Sequence, residues 1–387
     1  MARIRFLTGL LLLLAIIAPA STAQIGKTVL IGSGSDEDHQ LKAINAATDP
    51  AEKLRLIDEF SKSHPDDDFQ IIADEQYVIY YINAKQYDKA FEYGEKLFAR
   101  DPENYANAAN MVRAAVETGD ADRAYAYGEK AAGILQRFKA APAPDTEQAA
   151  SWEDLRNRKL EYAKDDIDYV EQALLSAPYQ AKDPAKKGDL LVRFTRIYPD
   201  SPDAHQAIIG AAIAYQEAKD PQKVMEVGNA ALAKNPNDIQ MLLLLADYFS
   251  DAGTQLDKAE EYATKVGTLC DAAKKPDNVT PEDWKKQNDL QKGLAISALG
   301  QVGLQKKQDA AAVKNFLAAS PLLKADATSY AKNQYRLAYA YVHLKQKKEA
   351  IQAFNEAASV DSPYKETAAE KAKELAELKP TPRRKAE

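Results

Sequence analysis

Apolar residues along this chain recur at helical intervals. Tyr77, Tyr80 and Tyr81 share one face of a run that ends at Asn83-Ala84-Lys85-Gln86, whose small and polar residues mark a turn. A second run follows: Ala90, Phe91, Gly94, Leu97 and Phe98 fall at i, i+1, i+4, i+7 and i+8, the apolar stripe of an amphipathic helix. Asp101-Pro102 closes it, because proline lacks a backbone donor and steers the residue before it away from helical angles. The predicted unit is a hairpin of two helices with a short connection.

The hairpin repeats at two periods. Tyr93-Gly94-Glu95-Lys96 returns intact as Tyr127-Gly128-Glu129-Lys130, 34 residues on, with Ala90 matched by Ala124. A longer period of 134 relates Asp49-Pro50-Ala51 to Asp183-Pro184-Ala185, Phe60 to Phe194, Tyr81 to Tyr215, Gly94 to Gly228 and Gly119 to Gly253. One offset held over so long a stretch indicates an internal duplication of a four-hairpin block. Past Gly253 the register slips by one, so that Asp122-Arg123-Ala124 meets Asp257-Lys258-Ala259.

These units resemble tetratricopeptide repeats (TPR). The fullest match is Leu337, Ala338 and Tyr341 in a first helix with Ala350, Phe354 and Ala357 in a second, and Pro363 beyond. The resemblance implies an all-α fold, a right-handed superhelical solenoid of stacked antiparallel helix pairs, over residues 41–378. Its clearest units are 71–104, 105–138, 205–238, 239–273 and 331–364; 147–180 and 291–326 are degenerate, and the register at 139–204 and 274–330 stays open. It also implies that a peptide or partner protein lies along a concave face lined by the first helices. The groove positions so carried over include Ile79, Asn83, Arg113, Glu117, Ile213, Glu217, Leu244, Tyr248, Tyr335, Tyr339 and His343, with Ile79, Asn83, Arg113, Tyr248, Tyr335 and Tyr339 as the candidate partner-binding residues. The positions at which some members hold a C-terminal carboxylate are here Glu75, Ala109 and Ile209, which do not suit that task.

Composition adds where the chain resides and what it avoids. Arg3 and Arg5 precede an apolar run of 12 residues, Phe6 to Ile17, and Ser21-Thr22-Ala23 offers a cleavage site. That is the layout of a signal peptide, residues 1–23, too short in its core to span a bilayer comfortably. It predicts export of the Gram-negative bacterial kind, to the periplasm or beyond, with no stable membrane insertion after cleavage. Residues 24–40, with Gly32-Ser33-Gly34-Ser35, read as a flexible leader and 379–387 as a disordered tail. Removing Arg3 and Arg5 takes the net charge from −7 to −9, a balance that disfavours nucleic acid and anionic lipid. One cysteine, Cys270, cannot form an internal disulfide, so packing must hold the fold.

Candidate chemistry is sparse. His39, His64, His205 and His343 form no i, i+3 or i+4 pair for a metal. Acidic runs such as Asp36-Glu37-Asp38 and Asp66-Asp67-Asp68 lack the spaced ligands and glycine of a calcium loop. No nucleophile elbow or phosphate-cradling loop occurs. The reading is therefore a non-catalytic interaction scaffold of the cell envelope, needing no cofactor or metal. The alternatives are a helical-solenoid cell-wall enzyme and a self-assembling envelope protein, the latter by self-association through an apolar terminal face.

Overall fold

The computed structural model describes residues 24–144 and 148–378; the expected signal, 1–23, and tail, 379–387, lie outside them. Among the described residues there are eighteen α-helices and one 3-10 turn, and no strand. The chain divides into two compact units, Met1–Ala211 and Ala212–Glu387.

The first unit contains α1 (Asp36–Ala46), α2 (Pro50–Ser63), α3 (Asp67–Asn83), α4 (Tyr87–Arg100), α5 (Tyr105–Glu117) and α6 (Ala121–Ala140). Then come α7 (Ala149–Tyr162), α8 (Lys164–Ser176), the 3-10 turn Ala177–Gln180 and α9 (Pro184–Ile197). The boundary falls inside α10 (Ala204–Glu217). The second unit continues with α11 (Pro221–Lys234), α12 (Ile239–Ala252), α13 (Leu256–Ala272), α14 (Pro281–Gln305), α15 (Asp309–Leu323), α16 (Ala327–His343), α17 (Lys347–Ala358) and α18 (Lys365–Glu377).

Local chemistry sets the helix ends. Asp49, Asp183, Asp220 and Thr280 each cap a helix whose first residue is proline, where the missing N–H costs nothing. The recurring Asp-Pro pairs at 49 and 183 are therefore helix starts. The turn inside each pair needs one left-handed residue. Lys85 (φ 56°), Gly119 (φ 70°), Lys219 (φ 56°) and Gly253 (φ 64°) take it, and both sequence offsets, 34 and 134, connect them. Lys307 and Lys345 do the same in later pairs, so lysine holds a position where glycine would be unstrained.

Neighbouring helices pack in sequence: α3 on α4, α4 on α5 and α5 on α6 in the first unit, and an unbroken run from α11 to α18 in the second. Ala90, Ala124, Ala259 and Ala350 are fully buried, as close helix approach requires. Glycine brings the helices closer still. A Cβ at Gly94 would lie 2.2 Å from Met111 Sδ, one at Gly128 2.3 Å from Leu174 Cδ1, and one at Gly228 2.8 Å from Leu245 Cδ1. The repeated Tyr-Gly-Glu-Lys is thus a socket into which a long side chain from a later helix inserts. In the α14–α15 pair the sizes are exchanged: Phe316 of α15 covers Gly300 of α14, whose added Cβ would sit 2.7 Å from the ring.

Two expectations need correction. Residues 24–40 are not a flexible leader. Ile25 is 1% exposed, Val29 and Ile31 pack on the core that includes Ile44, Ile57 and Phe60, and α1 begins at Asp36. The tertiary partners of this segment lie far along the sequence, and its small polar residues did not disclose them. Nor do α7 and α8 behave as an ordinary hairpin. Only Ala163 separates them, and α8 packs on α5 and α6.

Candidate binding face

The first helices of the pairs carry the residues singled out from the sequence. In the first unit, Ile79 stands on α3 with 41% of its surface exposed, and Asn83 is exposed at the end of the same helix. Arg113 on α5 is engaged within the chain. Its guanidinium donates to Asp166 Oδ1 of α8 at 2.6 Å and to Asn110 Oδ1 at 3.1 Å, and lies 4.4 Å from the centre of the Tyr169 ring. A cation between a carboxylate and an aromatic face is held in place and neutralised.

In the second unit, Tyr248 of α12 is half-buried beside Phe249, ring centres 5.8 Å apart, and burial pushes its phenol up. Tyr335 and Tyr339 of α16 come together, hydroxyl to hydroxyl at 3.3 Å. Both rings lie against Phe354 of α17, at 5.5 and 5.4 Å, and Tyr335 also meets Tyr364. These two tyrosines fill the seam between α16 and α17. Ile213 on α10 stands 42% exposed. It lies 134 residues after Ile79, at the same place in the duplicated block.

Two polar clusters escaped sequence reasoning. In the second unit, Asp247 and Asp251 of α12 meet Lys332 and Arg336 of α16. Lys332 Nζ is 2.6 Å from Asp247 and 2.8 Å from Asp251; Arg336 reaches Asp247 at 2.8 Å and also pairs with Asp251. Arg336 is 7% exposed. Burial alone would raise Asp247, but the charges of Arg336 and Lys332 outweigh it and hold the carboxyl down to about 2. Burial likewise works against the charge on Arg336, and the two carboxylates overcome it. The matched i, i+4 spacing of acids on one helix and bases on the other was visible in the sequence; their meeting across some 85 residues was not.

The second cluster holds the segment before α1. Gln24 Nε2 donates to Glu75 Oε1 of α3 at 3.0 Å, and Asn104 Nδ2 donates to the same oxygen at 2.8 Å. Burial pushes Glu75 up, against these hydrogen bonds. Lys159 of α7, 7% exposed, donates to the Gln24 carbonyl at 2.7 Å.

Few groups are placed for chemistry. Cys270 is 2% exposed and burial raises its thiol, the condition of an inert cysteine. Among the described residues, no group of three or more His, Cys, Asp or Glu side chains could hold a metal, and no helix is long and apolar enough to cross a membrane. A cavity of about 250 Å³ in the first unit is lined by Val116, Ala124, Ala177, Lys182, Asp183 and Lys186 among others, with no histidine, serine or cysteine.

No protein-family model matches the chain, and neither does any curated protein. Solved structures with similarity to it include yeast Tom70, at 12% identity over 92% of this chain and 67% of that one, TM-score 0.39. The TPR domain of P58(IPK) is 13% identical over 88% of this chain and 98% of that one, TM-score 0.27. The APC/C hetero-tetramer Cut9–Hcn1 gives 12% over 84% and 87%, TM-score 0.27. Likeness this distant transfers no function.

Proposed function

We propose that this chain is an exported, non-catalytic scaffold of the cell envelope, which binds a peptide or partner protein on the faces that first helices present within each of its two units. The observation that carries this reading is the pair Ile79 and Ile213. They occupy one register position in the two copies of the duplicated block, and both leave an isoleucine about two-fifths exposed, at 41% and 42%. A single exposed apolar residue means little, but the same one kept at the same place of two copies is a contact waiting for a partner. Ile79, Asn83 and Ile213 are the residues expected to touch the ligand. Arg113, Tyr335 and Tyr339 shape the array beneath.

Export rests on the signal-like residues 1–23. The test combines two measurements on the chain produced in its own host. Amino-terminal sequencing should find Gln24 first in the envelope fraction. A protein that co-purifies with the parent chain should be lost from a correctly folded Ile79→Lys, Ile213→Lys double variant. Retention of the same partner by that variant would refute the assignment of the face.

A further inference from the structure

The segment before α1 is bound in the manner of a peptide ligand. Most of its polar contacts go to main-chain atoms and come from three separate parts of the first unit. Tyr105 N–H of α5 donates to the Ile25 carbonyl at 3.1 Å; Lys27 N–H donates to Asp101 Oδ2 at 2.9 Å; Lys159 Nζ of α7 donates to the Gln24 carbonyl at 2.7 Å and approaches Thr28 Oγ1 at 3.4 Å. Backbone contacts of this kind fix the path of the chain, which bends through residues 24–26, and side-chain pockets then choose its sequence. Two such choices are visible. The Ile25 side chain is 1% exposed. Gly26 has φ +128°, and a Cβ there would lie 2.6 Å from Asp101 Oδ2 and 3.1 Å from Asn104 Cα, so only glycine fits.

We propose that the cleft between α3, the α4–α5 turn and α7 is a peptide-recognition site for a bent Gln-Ile-Gly stretch, and that residues 24–28 are its tethered ligand, bound in cis. The inference goes beyond the scaffold reading and stands without it.

The cleft is built for an occupant. Asp101 is 1% exposed, Asn104 is fully buried and Lys159 is 7% exposed, and each makes hydrogen bonds to this segment or to the Glu75 that holds it. Burial pushes Glu75 and Asp101 up and Lys159 down, the signature of ionisable groups enclosed together with their ligand. Past Val29 and Ile31, which pack on the core, the connection to α1 is exposed. Gly32, Ser33 and Gly34 are exposed, and nothing lies within 4 Å of a Cβ added at Gly34. A tether of this length gives an effective concentration on the order of millimolar, which a free peptide must overcome.

The test uses the chain from Gln24 onward, its Gly26→Ala variant, and a synthetic peptide of residues 24–31. The variant weakens the cis ligand and leaves the seat intact. The peptide should bind the variant saturably by titration calorimetry and raise its lowered Tm towards that of the parent. The parent, already occupied, should bind none. A peptide with alanine in place of Gly26 should bind the variant at least about tenfold more weakly, because its methyl meets Asp101 and Asn104. If Gly26→Ala does not fold, Ile25→Ala replaces it, since that change empties a pocket without creating overlap. Failure of the peptide to bind the folded variant, equal binding by the parent, or equal binding of the two peptides would each overturn the proposal.

Discussion

Helix α6 contains two glycines that separate packing from helix propensity. Replacing a helix-interior glycine by alanine gains about 1 kcal/mol, because the backbone entropy lost on folding is smaller. At Gly133 an added Cβ meets only Arg137 Nη1 at 3.2 Å, the far end of a flexible side chain. Most of the gain should survive there, and Gly133→Ala should stabilise by about 0.5–1 kcal/mol. At Gly128 the same Cβ falls 2.3 Å from Leu174 Cδ1 and 3.0 Å from both Cδ2 and Cγ. Three atoms of one branched side chain are overrun together, and Leu174 is fully buried, so no single rotation clears the space. Overpacking of this kind costs about 1–3 kcal/mol, which offsets or exceeds the propensity gain, so Gly128→Ala should be net destabilising by up to about 2 kcal/mol. Leu174→Ala alone opens a cavity at a cost of about 2–5 kcal/mol, yet in the double variant the new methyl partly refills it. The two changes should therefore cost less together than their sum, by about 1 kcal/mol or more. Urea denaturation followed by far-ultraviolet circular dichroism gives all four values. If Gly128→Ala stabilises as much as Gly133→Ala, the socket account of the Tyr-Gly-Glu-Lys repeat is wrong.

Other outcomes follow from the same packing. Lys85→Gly and Lys219→Gly relieve a left-handed lysine and should each raise stability by about 0.5–1 kcal/mol, read as a shift in urea midpoint, whereas Gly119→Lys should lower it. Asp247 is held low in the folded chain, so its contribution is present above the ordinary carboxylate range and is lost as pH falls towards about 2. Its carboxylate is 44% exposed and solvent screens it, so the contribution is on the order of 1 kcal/mol; Asp247→Asn should flatten the acid limb of the stability profile between pH about 4 and about 2. Cys270 should react with a thiol reagent only as fast as its helices open, so the rate should rise with urea even below the unfolding transition; a rate independent of urea would show that small local opening of α13 is enough to expose the thiol.

The helix pairs were legible in the sequence because each helix has to hide one stripe, and that need writes a period into the chain. The left-handed turn positions share the period for a related reason: a tight connection between packed helices leaves little choice of backbone. Ile79 and Ile213 were reachable through the same offset. The facing of Tyr335 and Tyr339 was not. Their i, i+4 spacing puts them on one side of α16, but which side depends on Phe354 and Tyr364, contributed by the next pair. The seat of residues 24–28 was hidden more deeply, since Glu75, Asp101, Tyr105 and Lys159 lie 51 to 135 positions along, measured from Gln24, and in three separate stretches of chain. Glycine and serine at 32–35 describe the tether correctly and say nothing of what lies ahead of it. Half-buried ion pairs such as Arg336 with Asp247 are equally silent, because their energetic value depends on a desolvation that composition cannot express.

The most direct test of the scaffold reading is site-specific photocrosslinking in the native host from four positions: Ile79 and Ile213 on first helices, and the exposed Glu92 and Glu226 on second helices, which are themselves matched across the duplicated block. A shared adduct from Ile79 and Ile213, lacking at Glu92 and Glu226, is the predicted result. Indistinguishable adducts at all four positions would contradict it.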